Sequence, residues 1–357
     1  MHTRILLLLS IILGLISCTN DSEKINKALS EINSGNPAKG EQMLAEVAAV
    51  SDPETASQAN LELAKYYASV QKPEQASANL VVAAEKGNEE AVMILTDAFL
   101  SGNSDYQINR NDSSAVTYLQ KLVNAGHRSY ATDLLELYMF SPEARNLMRA
   151  ADMIERGEVP NADFYRSIIQ YMNPKGAITH NIEHSVKALN FEPTSETAAY
   201  MGHILMTKPQ HIPAIDIPQV LRYYNKALSE SKYVNKEALQ KVVDIIQNYY
   251  DKLCQNPPND NPFAFGSAGF HTYTSPSDFQ YTGEMAGSYN SVAYPKGIGL
   301  GHQLNEYTYC GNWNHNFSGF GVKYEPSGEI YCGDWNNDGM SKGVIFKANG
   351  EIVNFGY

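Results

Sequence analysis

Cysteine, tryptophan and positive charge are all scarce in this chain, and each scarcity excludes a class of function. The 357 residues include four cysteines and two tryptophans, and no two cysteines form a Cys-x-x-Cys pair. Because protein metal sites depend on such ligand spacing, the sequence predicts no metal site and no cofactor. The formal charge of −12 comes from 27 basic and 39 acidic residues, and a surface of this charge repels nucleic acid.

Sequence motifs of catalysis are also missing. The chain has no Gly-x-Ser-x-Gly, no His-Glu-x-x-His and no phosphate-binding loop. A general acid/base pair could be drawn from the residues of the glycine-rich C-terminal part, which are His271, His302, His315, Asp278, Glu306, Glu329 and Asp334. Nothing in their spacing enforces such a pair. The sequence therefore predicts a protein that is not an enzyme.

Long apolar runs are restricted to the N-terminus. Residues 5–16 are almost wholly apolar and are followed by Ser17 and Cys18. A membrane span takes roughly 20 apolar residues, so residues 1–17 are predicted to be a signal peptide. An ordinary secretory peptide that happens to end near a cysteine is the alternative.

The ending Leu15-Ile16-Ser17-Cys18 resembles the lipobox of bacterial lipoprotein signals. The resemblance implies that Cys18 becomes the lipidated first residue, with palmitate among its acyl chains. It also implies a stable membrane anchor. The residue after the cysteine is Thr19 and not aspartate, which in the lipoprotein family implies the outer membrane. The expected location is therefore the outer membrane, with the protein facing the periplasm.

Alanine-rich and leucine-rich helical periodicity runs through the predicted domain 18–253. One apolar stripe precedes the break at Gly87-Asn88 and a second follows it, and their members are Ala76, Leu80, Ala83, Ala84, Ala91, Leu95, Ala98 and Phe99. The same pattern recurs around Gly126, which lies 39 residues after Gly87. Repetition at this period predicts a solenoid of helical hairpins.

The string AEKGNEEAVMILTDAFLSG, at residues 84–102, resembles the Sel-like subclass of tetratricopeptide repeats. The likeness is clearest for residues 40–140. It implies stacked helix pairs with a surface that binds protein partners. For each single tyrosine or phenylalanine in these repeats, the alternative is that it fills the core.

The composition changes after residue 253. Pro257-Pro258 excludes helix, and the predicted linker 254–279 leads into a second domain, 280–357, which is rich in glycine, tyrosine and asparagine. A repeat of 22 residues superimposes Tyr309-Cys310-Gly311-Asn312-Trp313 on Tyr331-Cys332-Gly333-Asp334-Trp335. A partial earlier copy needs a longer loop around residues 288–293. The last copy ends in a degenerate strand that caps the sheet.

The unit Tyr-x-Gly-x-Trp, followed by Gly-x-Gly, resembles the MORN repeat over residues 280–353, although Ser341 replaces one glycine. The resemblance implies antiparallel β-hairpins in one sheet. Alternation at period 2 places the aromatic residues on one face, and we take Tyr309, Trp313, Tyr331 and Trp335 as a candidate binding face. Packing within the domain is the alternative for these rings.

Cys310 and Cys332 occupy equivalent positions of adjacent repeats. Two strands would separate their Cα atoms by roughly 9 to 10 Å, whereas a disulfide needs about 7 Å or less. We therefore predict no bond between them.

The predicted function is a non-catalytic scaffold for protein partners. The anchored helical repeats resemble the scaffold lipoproteins of exopolysaccharide export, which hold a secretion pore and periplasmic enzymes together. The sheet would add a second docking surface. The alternative is a glycan-binding or envelope-remodelling protein that uses the aromatic face, with polysaccharide as its ligand, and an enzyme acting on cell-wall polymer is a more distant possibility.

Overall fold

The chain forms helices first and an antiparallel sheet afterwards, which confirms the predicted fold class. The computed structural model describes residues 22–50, 52–172, 190–207, 215–258, 270–275, 277–286 and 294–356. Within these ranges the helices are α1 (22–33), α2 (Pro37–Val50), α3 (Pro53–Ser69), α4 (Pro73–Glu85), α5 (Glu89–Ser101), α6 (Asp112–Asn124), α7 (Ala131–Phe140), α8 (Leu147–Glu155), α9 (Ala162–Met172), α10 (Ala198–Thr207), α11 (Ile217–Glu230) and α12 (Lys236–Gln255). The strands are β1 (Phe270–Thr274), β2 (Phe279–Ala286), β3 (Tyr294–Gln303), β4 (Tyr307–Asn314), β5 (Asn316–Tyr324), β6 (Ile330–Asn336), β7 (Gly339–Phe346) and β8 (Ile352–Phe355).

Internal contacts divide the chain into two compact units, Met1–Arg145 and Asn146–Tyr357. The first unit contains α1 to α7, and the second contains α8 to α12 together with the whole sheet. This division differs from the predicted boundary at residue 253, and β1 lies inside the predicted linker 254–279. The physical reason is that one face of the sheet is apolar and packs against α10 and α12.

Helical hairpins of the first unit follow the predicted repeat. Gly87 and Gly126 both adopt positive φ, at +91° and +98°, and each ends the first helix of a pair. Glycine is favoured there because the left-handed conformation strains residues with a Cβ. Asn88 then caps α5 by accepting a hydrogen bond from the Ala91 backbone N–H.

Small residues let the helices of the first unit approach closely. Ala76, Ala83 and Ala91 are fully buried in the same core cluster as Leu80 and Leu95. At Gly40 of α2, a Cβ would lie 2.5 Å from the carbonyl oxygen of Ala28 in α1, so the two helices could not keep this distance with a larger residue. The core is therefore built by close approach as much as by bulky side chains.

The eight strands form one antiparallel sheet in which each strand pairs with its sequence neighbours. Gly311 pairs with Gly321 and Gly321 with Gly333, so the 22-residue repeat corresponds to one hairpin. Gly328 and Gly350 stand at equivalent turns with φ of +84° and +83°. The predicted hairpins are confirmed, and the predicted final strand is β8, the last in the strand order.

One face of the sheet, the helix-facing face, packs against the helices of the second unit. A buried column crosses it in register and consists of Leu300, Cys310, Val322, Cys332 and Val344. Thr308 donates a hydrogen bond of 2.8 Å to the carbonyl oxygen of Met206 in α10. Val322 lies between Cys310 and Cys332, as the predicted register requires, and both thiols are free.

Some predictions fall outside the described residues. Cys18, with the rest of residues 1–21, lies there, and so does the predicted long loop around residues 288–293. No helix among the described residues is both long enough and apolar enough to cross a bilayer. The same residues contain no group of three or more His, Cys, Asp or Glu side chains placed to hold a metal ion.

Candidate functional site

The opposite side of the sheet, the aromatic face, carries a glycine column beneath a layer of rings. The column runs in register through Gly283, Gly299, Gly311, Gly321, Gly333 and Gly343. A Cβ at Gly321 would overlap the ring of Tyr309, and a Cβ at Gly301 would lie 2.5 Å from the Trp313 ring. The rings therefore lie flat against the backbone at these glycines.

Rings from neighbouring repeats interlock across each strand. Tyr309 of β4 and Trp335 of β6 meet over β5 with ring centroids 5.6 Å apart and an interplanar angle of 86°. The Trp335 indole N–H donates to the carbonyl oxygen of Gly321, and the Trp313 indole N–H donates likewise to Gly299. Edge-to-face rings with satisfied N–H groups form a rigid layer.

Burial changes the interpretation of the candidate binding face. Tyr309, Trp313 and Trp335 have exposed fractions of 0%, 5% and 6%. A ligand could stack on these rings only if the packing of the aromatic layer were disrupted. The structure therefore favours packing for these three residues, which is the alternative stated for them, because glycine lets the rings lie flat against the backbone.

Tyr331 differs from the other three candidate residues, because it is half-buried at the rim of the aromatic face. Its hydroxyl donates a hydrogen bond of 2.5 Å to Glu329, and Lys347 lies 2.6 Å from the same carboxylate. Although burial opposes it, these two bonds lower the pKa of Glu329. Lys323 lies between the rings of Tyr307 and Tyr331, at 5.7 and 5.8 Å from their centroids.

A buried polar chain joins helices and sheet within the second unit. His203 Nδ1 of α10 is hydrogen-bonded to the Tyr224 hydroxyl at 2.8 Å, and that hydroxyl to Tyr324 of β5 at 3.0 Å. Burial lowers the pKa of His203 to about 3 and raises the pKa of both tyrosines well above the usual value. All three groups are therefore neutral at physiological pH, and they hold the layers together.

The histidines considered for catalysis are distributed over separate parts of the sheet. His302 of β3 is buried and hydrogen-bonded to Thr308 at 2.9 Å. His315, in the turn between β4 and β5, stacks on Tyr294 with ring centroids 3.6 Å apart. His271 is buried in β1. The burial of His271 and His302 fits roles in packing, whereas His315 is exposed.

A second candidate site is a polar groove of about 520 Å³ in the first unit, which we call the polar groove. It lies between α1, α3 and the start of α5. Its polar lining includes Asn26, Glu54, Gln58, Glu62, Asn88 and Glu89. Glu54 and Glu89 are exposed, so the groove presents carboxylates to solvent, although Glu89 also lies 2.9 Å from His127 Nε2.

Hydrogen bonds hold the lining of the polar groove in place. The Asn88 side-chain amide donates to Gln58 at 3.2 Å, and the Gln58 amide donates to Glu62 at 2.8 Å. Lys65 bridges Glu62 at 3.5 Å and Glu90 at 2.8 Å. Although burial opposes it, these two carboxylates raise the pKa of Lys65. The lining is thus pre-organised before any partner arrives.

Sequence reasoning missed the polar groove. The sequence pattern places Asn88 in a helix break, and Gln58 belongs to no motif. Residues 26, 58 and 88 are amides spaced by 32 and 30 residues, intervals shorter than the 39-residue repeat. That recurrence of amide side chains was the available signal.

Comparison with known proteins leaves the family open. No protein-family model matches the chain, and no curated protein matches it. Among solved structures, the chain is similar to a Sel1 repeat protein from Oxalobacter formigenes, at 18% identity, over 62% of this chain and 90% of that chain, with a TM-score of 0.33. Because that TM-score is low, the helical-repeat architecture is established by this chain's own hairpins.

Proposed function

We propose that this protein is a non-catalytic scaffold whose first unit binds a protein partner through the polar groove. The observation that carries the proposal is the groove itself, which is wide, pre-organised and lined by amides and carboxylates. Amide side chains can hydrogen-bond the backbone of an extended peptide, and carboxylates attract basic side chains. The partner segment we expect is therefore extended and positively charged.

Two charge reversals test this assignment. Glu54→Lys and Glu89→Lys each replace a carboxylate of the groove by a cation, so we expect the recovery of a partner after mild crosslinking to fall by about tenfold. Glu74→Lys is the matched control, because Glu74 also lies exposed in the first turn of a helix but outside the groove. Equal loss of the partner in all three variants would contradict a role for the groove.

Membrane anchoring belongs to the same proposal. The lipobox-like ending at Cys18 supports an outer-membrane lipoprotein that faces the periplasm and serves an envelope or exopolysaccharide export assembly. Cys18→Ala should abolish incorporation of labelled palmitate and move the protein from the membrane fraction to the soluble fraction. A chain that remains acylated, or that stays in the membrane without Cys18, would contradict the proposal.

The glycan-binding alternative is supported by fewer exposed rings than the sequence suggests. Of the rings proposed to contact a glycan, Tyr331 is the one at the half-exposed rim, beside Lys323 and Glu329. A stoichiometric protein partner after crosslinking supports the scaffold. Binding of purified polysaccharide that is lost in Tyr331→Ala, with no protein partner recovered, would favour the alternative.

A further inference from the structure

β8 leaves its outer edge open within the described part of the chain. It is the last strand of the described sheet, and its pairing partner there is β7 alone. Its four residues include no charge and no proline, and Phe355 is 44% exposed. Natural edge strands are usually protected from pairing by shortness, lysine, proline or a covering element. β8 is short, but it carries neither lysine nor proline.

The hairpin before β8 determines which backbone groups face outward. The Lys347 N–H donates to the carbonyl oxygen of Glu351, and Ile345 pairs with Val353 two residues further along. Because bonded and non-bonded pairs alternate in an antiparallel ladder, Val353 bonds to β7. The N–H and C=O groups of Ile352 and Asn354 therefore point away from the sheet.

A groove of about 330 Å³ lies beside this edge on the helix-facing side, and we call it the edge groove. The start of α12 forms one wall through Asn235, Glu237 and Lys241, while Ile352 and Asn354 form the other. Glu237 and Lys241 pair at 3.1 Å, so the wall carries both signs of charge. An added strand would find room here for its side chains.

We propose that the outer edge of β8 pairs antiparallel with β8 of a second copy of this chain. A two-fold axis through Val353 places Ile352 opposite Asn354 of the second copy, and it matches the two outward-facing residues of one strand with those of the other. The side chains of both residues then extend into the edge groove of the partner copy. Uncharged strands beside walls of balanced charge meet without repulsion, although the whole chain is acidic.

The short edge sets the strength of this dimer. Four-residue strands and one groove bury less than the standard interface of about 1,200 to 2,000 Å², so we expect a dissociation constant on the order of 10 to 100 µM. Dimerisation would give a scaffold two copies of each docking surface. The β8 dimer forms without any other protein. The test of the dimer is therefore independent of the crosslinking test of the proposed function.

Sedimentation velocity of the purified full chain carrying Cys18→Ala, which removes association through acyl chains, measures the dimer over a series from about 1 µM to about 500 µM. Asn354→Pro removes an outward N–H while leaving the bonds of Val353 to β7, and Asn354→Lys adds a charge to the open edge. Thr274→Lys is the matched control, because Thr274 is the exposed end of β1 at the other side of the sheet.

We expect both Asn354 variants to raise the dissociation constant by about tenfold or more, with unchanged circular dichroism and melting temperature, while Thr274→Lys leaves it unaltered. A chain that stays monomeric over the whole series would overturn the proposal. A dimer whose dissociation constant is unchanged in both Asn354 variants would also overturn it. So would a dimer that Thr274→Lys weakens as much as the Asn354 variants do, because that result would place β1 in the interface.

Discussion

At the scale of single residues, the sheet depends on glycines over which aromatic rings lie. The rings of Tyr281, Tyr309 and Trp313 occupy the space that a Cβ would take at the glycines beneath them. A side chain at such a position must displace a ring that is itself fixed by hydrogen bonds. The cost of substitution therefore depends on which glycine is changed.

Gly321→Ala should destabilise the second unit by about 1 to 3 kcal/mol, because the new methyl group overlaps the Tyr309 ring in a packed layer. Gly339→Ala is the matched control in β7, where the nearest atom to a Cβ is the Asn336 carbonyl oxygen at 3.5 Å. Urea unfolding followed by tryptophan fluorescence measures both. Equal stability of the two variants would contradict the ring-on-glycine packing.

His203 gives the second unit a definite pH dependence. Its pKa is about 3 in the folded chain and about 6.5 when unfolded, so the unfolded state takes up a proton first as the pH falls. The stabilisation is fully present above about pH 6.5 and is lost progressively towards pH 3, by up to about 1.4 kcal/mol per pH unit.

His203→Gln should flatten this dependence between pH 6 and pH 4, whatever its effect on absolute stability, because glutamine does not titrate. Urea unfolding at several pH values measures the slope. His127→Gln, in the first unit, should leave the slope of the second unit unchanged. An unaltered slope in His203→Gln would mean that this imidazole is protonated in the folded chain.

At the scale of elements, rings from two neighbouring repeats pack together on the aromatic face of the sheet. Phe317 stacks on Tyr309 with centroids 4.0 Å apart and meets Trp335 at 5.5 Å. A ring removed from this layer leaves a cavity that the rigid strands cannot close. The layer thus stabilises the sheet on the side opposite the helices.

Alanine replacement should separate the four candidate aromatic residues into two classes. Tyr309→Ala, Trp313→Ala and Trp335→Ala should each cost about 3 to 5 kcal/mol, as large buried side chains do. Tyr331→Ala should cost less than about 2 kcal/mol because its ring is half exposed. Chemical denaturation of the four variants tests this, and a Trp335→Ala variant of unchanged stability would restore the contact-surface interpretation.

At the scale of the whole molecule, the sheet and the last helices belong to one compact unit. The helix-facing column of Leu300, Cys310, Val322, Cys332 and Val344 is buried, and the burial includes contacts with α10 and α12. A sheet cut away from these helices would expose this column to water. We therefore expect the boundary of independent folding to fall before α8.

A fragment of residues 146–357 should fold cooperatively, whereas a fragment of residues 254–357 should not. The first retains the helices that cover the sheet, and the second loses them. Thermal unfolding and binding of a hydrophobic dye distinguish the two. A cooperative, dye-free fragment 254–357 would support the boundary that the change of composition suggests.

Sequence by itself determined the local elements of this protein. Periodicity near 3.6 with glycine breaks specified the hairpins of the first unit, and the 22-residue repeat specified strand register, because both depend on neighbours along the chain. Tertiary structure alone decided the rest. The sequence places Trp313 and Trp335 on one face, but their burial depends on how they lean over glycines of adjacent strands. Likewise, the assignment of α8 to α12 to the sheet unit, and the lining of the polar groove, arise from side chains far apart in sequence that packing brings together.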